Sequence, residues 1–140
     1  MQVEHRIVAH VEPEVVYRIY EDVGGWHTWD PDTKQATLDG PLRVGARGRL
    51  TPTKGQIVPM QVTQVVGNRS FTVESKIPLF RMLFEHELHP CEGGTEIVHR
   101  VSFSGLLSLI LGPILSKQLN SGLPVTLGKL KKIAESNAAA

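Results

Sequence analysis

FRMLFEHELHPCEGGTEIVHRVSFSG, residues 80–105, carries the strongest structural signal in the chain. Apolar and polar side chains alternate on both sides of a centre at Glu92 and Gly93, which is the pattern of two antiparallel strands with one buried face. If a two-residue turn lies at this centre, His86 lies directly opposite His99. A register two residues away would make the two histidines diagonal neighbours on the same face. The sequence therefore predicts a β-hairpin that carries two neighbouring histidines on its apolar face.

The same alternation continues on the N-terminal side of this hairpin, where Gly, Asn and Pro mark turns between short alternating segments. Such a series predicts one antiparallel sheet whose strands are mostly joined as hairpins. Including the hairpin, we expect seven strands, near residues 2–11, 34–38, 45–53, 56–66, 69–77, 82–90 and 95–104.

Two short helices are expected between the first and second strands. Apolar residues recur at intervals of three and four over residues 13–23, and Gly24 and Gly25 end this helix. The following residues, WHTWDP, predict a second helical turn on which Trp26 and Trp29 share one face. These tryptophans either only seal the core or also line a pocket, and the sequence leaves both interpretations open.

A stripe of leucines predicts one long helix over residues 106–136. Gly112-Pro113 and Gly122-Leu123-Pro124 interrupt the stripe, so we expect a kink or a break at these points. Together with the strands, this helix indicates an α+β fold in which a curved antiparallel sheet packs around the C-terminal helix. We expect residues 1–140 to form one domain, since a chain of this length can bury a sizeable core.

The composition excludes several classes of protein. Fifteen basic and fourteen acidic residues give a net charge of +1 without a basic face, so we expect no nucleic-acid partner. The longest apolar run, residues 106–115, is too short to cross a bilayer, and no stable membrane insertion is expected. Cys91 is the single cysteine, which excludes an internal disulfide and agrees with a cytoplasmic location.

Four segments act as structural landmarks: PEVVYRIYEDVGGWHTWDPD at 13–32, LDGPLRVGARGR at 38–49, HELHPCEGGTEIVHRVSFSG at 86–105 and L-x-x-L-K-K-x-A-E at 127–135. In these segments the chain resembles the START-like, helix-grip (SRPBCC) superfamily, and within it the polyketide cyclase/dehydrase and lipid-transport group. The resemblance implies a seven-stranded curved antiparallel sheet wrapped around a long C-terminal helix, with two short helices after the first strand. It further implies a cavity between sheet and helix that binds an apolar or aromatic small molecule.

His86 and His99 are the candidate acid/base residues, because partial burial and mutual repulsion should keep at least one imidazole neutral near neutral pH. They could instead be hydrogen-bonded core residues, and the sequence does not decide between these roles. No metal site is expected, since alternation turns His89 away from the pair. The candidate ligand-binding residues are Trp29, Met60, Val62, Phe71, Phe84, Leu88, Val101, Phe103, Leu111, Leu115, Gln118 and Leu119.

Three functions remain open. The first is binding of a small hydrophobic or aromatic molecule, lipid-like or polyketide-like, without a cofactor. The second is a cyclase or dehydratase in which a cavity histidine moves a proton. The third is peripheral lipid transfer through the IPLF segment, residues 77–80, together with Lys129, Lys131 and Lys132. IPLF could equally be a mobile lip or a dimer contact, and both a monomer and a homodimer fit the sequence.

Overall fold

The computed structural model of the chain describes residues 1–139 and contains one sheet, two α-helices and a short 3₁₀-helix. The strands are β1 (Gln2–Ala9), β2 (Thr33–Leu38), β3 (Arg47–Pro52), β4 (Val58–Val66), β5 (Ser70–Ile77), β6 (Phe80–Cys91) and β7 (Gly94–Ser104). The helices are α1 (Pro13–Glu21) and α2 (Ser108–Ala139), and the 3₁₀-helix Val23–Thr28 follows α1. The α+β class and the seven strands are confirmed. Ala140, the last residue of the expected domain, lies outside the described residues.

The strands lie in the order β1-β7-β6-β5-β4-β3-β2, and every neighbouring pair is antiparallel. Consecutive strands from β2 to β7 are therefore neighbours in the sheet, as expected for a series of hairpins. β1 and β2 form the two edges, and α1 with the 3₁₀-helix carries the chain from one edge to the other. The sheet curls around α2, which is the helix-grip arrangement.

The β6–β7 hairpin has the predicted register. His86 pairs with His99, and Glu92 and Gly93 are the two residues left at the tip. Gly93 has a φ of 85°, a left-handed conformation that glycine adopts without a steric penalty. The turn therefore determines which side chains of the two strands meet.

The interior contains two apolar clusters. The main cluster joins α1, the 3₁₀-helix and the sheet to the C-terminal half of α2, and buried aromatic side chains occupy its centre. The second cluster lies between the sheet and the N-terminal half of α2. Its buried members are Val3, Phe80, Val101, Phe103 and Leu123, and the partly exposed side chains packed against them are Met82, Phe84, Leu107, Leu111, Leu115 and Leu119.

α2 is continuous through both of its internal prolines, Pro113 and Pro124. Of the two outcomes expected at these positions, a kink or a break, the break does not occur. A proline in a helix removes one backbone hydrogen bond, but leucines on the inner side of α2 pack against the interior on both sides of each proline. This packing maintains helical geometry that the local sequence disfavours.

Candidate functional site

The histidine pair lies on the inner face of the β6–β7 hairpin. The imidazole centroids of His86 and His99 are 4.7 Å apart, and the rings meet edge to face at 77°. The His86 ring stacks on the Phe71 ring at 4.0 Å, and its Nδ1 lies 3.2 Å from the Phe71 carbonyl oxygen. His99 is buried, with 3% of its surface exposed. The neighbouring positions predicted from the turn are confirmed.

Tyr20 completes this site, although it was not identified as a site residue from the sequence. The side chain comes from the last turn of α1, and its hydroxyl oxygen lies 2.8 Å from Nε2 of His99. The phenol ring also contacts Phe71 and Trp29, with centroid distances of 4.9 Å and 5.8 Å. Helical periodicity placed Tyr20 on the buried side of α1, and a buried tyrosine generally needs a partner for its hydroxyl. That rule was the available signal, but it does not identify a partner 79 residues away.

Burial controls the protonation of all three polar groups. Desolvation lowers the pKa of His86 from 6.5 to about 4, although the nearby Phe71 carbonyl partly opposes this shift. Burial, and then the proximity of His86, lower the pKa of His99 well below its ordinary value. Burial raises the pKa of Tyr20. The lowered pKa of both rings agrees with the expectation that at least one imidazole is neutral near neutral pH.

A neutral imidazole and a neutral phenol can share their hydrogen bond in either direction. The Tyr20 hydroxyl donates to His99 if Nε2 is unprotonated, and Nε2–H donates to the phenol oxygen in the other tautomer. Both forms place a mobile proton between two groups that stay uncharged near neutral pH. The site is therefore able to relay a proton to or from a third polar group that reaches it.

The two tryptophans differ in hydrogen bonding. Trp26 donates from Nε1 to the Tyr20 carbonyl oxygen at 2.9 Å, so its polar end is satisfied. Trp29 is 3% exposed, and its Nε1 has no hydrogen-bond partner in the structure. The Trp29 ring centroid lies 6.1 Å from that of His99. A buried donor without a partner is uncommon, and it gives this side of the site one N–H group available to an acceptor.

The candidate ligand-binding residues separate into two sets. Gln118 belongs to neither set, because it is exposed on the surface of α2 and is not enclosed in the interior. The residues in the main cluster, most of them fully enclosed, are Trp29, Met60, Val62, Phe71 and Leu88. The residues in the second cluster are Phe84, Val101, Phe103, Leu111, Leu115 and Leu119, and Phe84 also packs against the main cluster.

The hollow expected beside the histidine pair is occupied by Tyr20. Its phenol ring fills the space in front of His86 and His99 and contacts both rings, with centroid distances of 5.6 Å and 5.9 Å. Neither of the two best-formed pockets in the described chain lies between the sheet and α2. One is a groove of about 320 Å³ on β4 to β6, and its lining includes the half-buried His86. The other, of about 200 Å³, lies beside α1 and the end of α2. On the inner side of the two imidazoles, the Tyr20 ring therefore takes the place of the expected hollow.

The sequence pattern of the family described as polyketide cyclase/dehydrase and lipid transport matches residues 1–135. The chain belongs to this family. The match covers the whole sheet, both short helices and most of α2, so the resemblance inferred from the four landmark segments is confirmed.

Solved structures share the fold of this polyketide cyclase/dehydrase family member at low sequence identity. The di-domain ARO/CYC StfQ from the steffimycin biosynthetic pathway has a TM-score of 0.81 at 11% identity, over 99% of this chain and 52% of that chain. A Thermus thermophilus protein has a TM-score of 0.77 at 16% identity, over 100% of both chains. Ara h 8.0201 has a TM-score of 0.74 at 13% identity, over 97% of this chain and 98% of that chain. No curated protein matches the chain.

Two further observations on this family member concern metals and membranes. Within residues 1–139, no group of three His, Cys, Asp or Glu side chains is placed to hold a metal ion. His89 is exposed, and its Nε2 lies 2.9 Å from the Glu87 carboxylate, on the strand face opposite to the histidine pair. None of the described helices combines the length and the apolar character needed to cross a membrane.

Proposed function

We propose that this protein binds a small hydrophobic molecule in the second cluster, between β6, β7 and the N-terminal half of α2. The observation that supports this proposal is the incomplete burial of side chains that face one another there. Phe84, Leu111 and Leu115 pack against the second cluster and still remain partly exposed. The main cluster, in contrast, has buried aromatic side chains throughout its centre. Covering the incompletely buried surface would be favourable.

Covering this apolar surface supplies part of the free energy of binding. Removing about 200 Å² of apolar surface from water contributes about 5 kcal/mol before the costs of ordering the ligand are subtracted. Neither of the two best-formed pockets lies at the second cluster, so α2 is expected to move outward, or its leucines to change rotamer, to admit a guest. The ligand is therefore expected to be small and flexible, or flat enough to lie between helix and sheet.

The Tyr20–His99 pair supplies the polar end of the proposed site. His99 and Val101 point to the same face of β7, so the second cluster continues directly into the histidine pair. A ligand hydroxyl or carbonyl at the inner end could exchange hydrogen bonds with Tyr20 or accept one from Trp29 Nε1. The apolar part of the ligand would then provide affinity, and these groups would set its orientation.

Filling the second cluster with a larger side chain should block binding. We expect Leu111→Trp to weaken binding of anilinonaphthalene sulfonate in solution by at least about tenfold, which corresponds to about 1.4 kcal/mol. Val125→Trp is the matched control, because Val125 lies on the same helix, is 50% exposed and lies outside the second cluster. Fluorescence titration measures both affinities. Equal affinity of Leu111→Trp and wild type, or no binding by wild type, contradicts the proposal.

A proton-transfer enzyme of the cyclase or dehydratase type is the second candidate function. The hydrogen bond between Tyr20 and His99, beside the neutral His86, is the observation that favours it. Such a pair could remove a proton from carbon next to a carbonyl and return it to a leaving hydroxyl. This function requires the same hydrophobic site to bind the substrate, so it extends the first proposal.

Tyr20→Phe distinguishes these two functions. If the pair transfers protons, Tyr20→Phe and His99→Gln should each reduce turnover of a linear poly-β-ketone by about 100-fold or more, while binding of the hydrophobic probe changes little. Product formation is followed by chromatography, and the probe titration serves as the control for an intact site. Absence of product with wild-type protein, or unchanged turnover in both variants, contradicts the catalytic function and leaves the binding function standing.

A further inference from the structure

An aliphatic patch is exposed where the β5–β6 turn meets the start of α2. Its members come from two parts of the chain that contact each other, because the Leu107 amide donates to the Leu79 carbonyl oxygen at 2.9 Å. Each member is at least half exposed, and the group contains no polar side chain. The patch consists of Leu79, Leu106, Leu109, Ile110 and Ile114, with exposed fractions of 60%, 69%, 79%, 67% and 55%.

The start of α2 carries apolar side chains on both its inner and its outer side. Residues 106–115 read LLSLILGPIL, and their inner side, including Leu107 and Leu111, packs on the second cluster. The outer side carries Leu109 and Ile110, which are exposed to solvent. A surface helix normally has a polar outer side, and a helix that is apolar on all sides is normally covered. The outer side of α2 therefore has the character of a contact surface.

The backbone beneath the patch is held in an unusual conformation. Leu79 has a φ of 65°, a left-handed conformation that is unfavourable for a leucine. The adjoining Gly105 has a φ of 98°, and a Cβ at this position would lie 2.5 Å from the Leu79 carbonyl oxygen. Glycine at 105 therefore permits the close approach of the turn to α2. This arrangement presents the Leu79 side chain to solvent next to the helix, and strained exposed residues often belong to functional surfaces.

The charges around the patch are predominantly positive. Lys76 precedes the turn, Arg81 follows it, and Lys117 lies one helical turn beyond Ile114. Arg81 forms an ion pair with Glu74 at 2.6 Å, so its positive charge is compensated. The chain has no Asp or Glu between residues 97 and 134, so α2 brings no negative charge to the patch.

We propose that the aliphatic patch docks the protein peripherally on a lipid surface that carries anionic headgroups. Exposed leucines and isoleucines can enter the boundary between headgroups and acyl chains, and the flanking cations attract anionic lipid. A second copy of the chain fits less well, because symmetric pairing would bring the cations of both copies together. The docking surface goes beyond ligand binding, and it would place the second cluster next to a source of hydrophobic molecules.

Lys129, Lys131 and Lys132, which were considered for membrane contact from the sequence, lie away from the aliphatic patch. Lys131 is 14 positions beyond Lys117 on α2, which corresponds to about 20 Å along the helix axis. Lys131 also forms an ion pair with Glu135 at 2.6 Å. Lys129, Lys131 and Lys132 are therefore not part of the proposed surface, and Lys76 and Lys117 replace them.

Vesicle flotation tests the docking surface. We expect wild-type protein to float with vesicles of phosphatidylcholine containing about 30% phosphatidylglycerol and to bind pure phosphatidylcholine vesicles much less. Leu109→Glu/Ile110→Glu should reduce binding at least about tenfold, since two side chains that enter the lipid become charged. Lys76→Gln/Lys117→Gln should reduce it by about fivefold for each charge removed, and high salt should have the same effect.

The matched control is Val44→Glu/Val66→Glu. These valines are 61% and 48% exposed, and they lie toward the end of the sheet opposite to the β5–β6 turn. The control adds the same negative charge and should bind vesicles like wild type. Equal flotation of the control and Leu109→Glu/Ile110→Glu, or no flotation of wild type, overturns the proposal. The proposal is also overturned if the wild-type protein is a dimer and Leu109→Glu/Ile110→Glu is a monomer, because the patch would then pair with a second copy of the chain. Probe titration of each variant shows separately whether the second cluster still binds its ligand.

Discussion

Acidification below pH 6.5 should destabilise the protein at up to about 1.4 kcal/mol per pH unit for each of the two paired histidines. Burial lowers the pKa of His86 to about 4, whereas the unfolded chain titrates near 6.5. Between these values the unfolded state binds a proton that the folded state does not. The stabilisation is thus fully present above pH 6.5 and is lost as the pH falls toward 4. The pKa of His99 is lowered in the same direction, so both rings contribute.

Urea denaturation at a series of pH values measures this slope. His86→Gln and His99→Gln should each reduce it, whatever their effect on stability at neutral pH. Arg100 lowers the pKa of Glu87, so this carboxylate loses its contribution only below the ordinary carboxyl value of 4.5. Burial raises the pKa of Asp30, and its protonation opposes the loss. An unchanged slope in the double variant His86→Gln/His99→Gln, or ring titrations near 6.5 by NMR, contradicts the neutral pair.

Phe71→Ala should lower the free energy of unfolding by about 3–5 kcal/mol, the usual cost of removing a buried phenylalanine. Phe71 is fully buried, stacks on His86 at 4.0 Å and contacts Tyr20 at 4.9 Å and Trp26 at 5.8 Å between ring centroids. Deleting its ring removes the support of the histidine pair and opens a cavity in the main cluster. Chemical denaturation at neutral pH measures the change.

Phe71→Leu is the control for this substitution. It keeps most of the apolar volume, so its cost should be clearly smaller than that of the alanine variant. The alanine variant should also hydrate the His86 ring and raise its pKa toward 6.5, which NMR detects directly. A loss below about 1 kcal/mol for Phe71→Ala would show that the main cluster collapses around the missing ring and is not rigid there.

Sequence alone predicts the sheet because its signals are local. The alternation around Glu92 and Gly93 and a two-residue turn together predict the pairing of His86 with His99, and a shift of one residue would expose the apolar face. The family landmarks extend this inference to the whole fold. The hairpin sequence therefore predicts both the pairing of β6 with β7 and the presence of two imidazoles at the site.

The remainder of the site depends on contacts between distant segments. Tyr20 reaches His99 only because α1 crosses the sheet, and periodicity reports that a helical residue is buried without reporting what it faces. For the same reason, the sequence predicted a hollow beside the histidine pair at the place that the Tyr20 ring occupies. At Pro113 and Pro124, local propensity predicted a kink or a break, and packing along α2 keeps the helix continuous.

The two prolines of α2 have a mechanical consequence. Each lacks an amide hydrogen, so the carbonyl oxygens of Leu109 and Asn120, four positions earlier, receive no helical bond from them. The helix is thus weakened at both ends of the stretch that carries Leu115 and Leu119. Moving this stretch of α2 away from the sheet breaks fewer backbone hydrogen bonds than moving a proline-free stretch of equal length. A guest could then enter from the side while all seven strands stay paired.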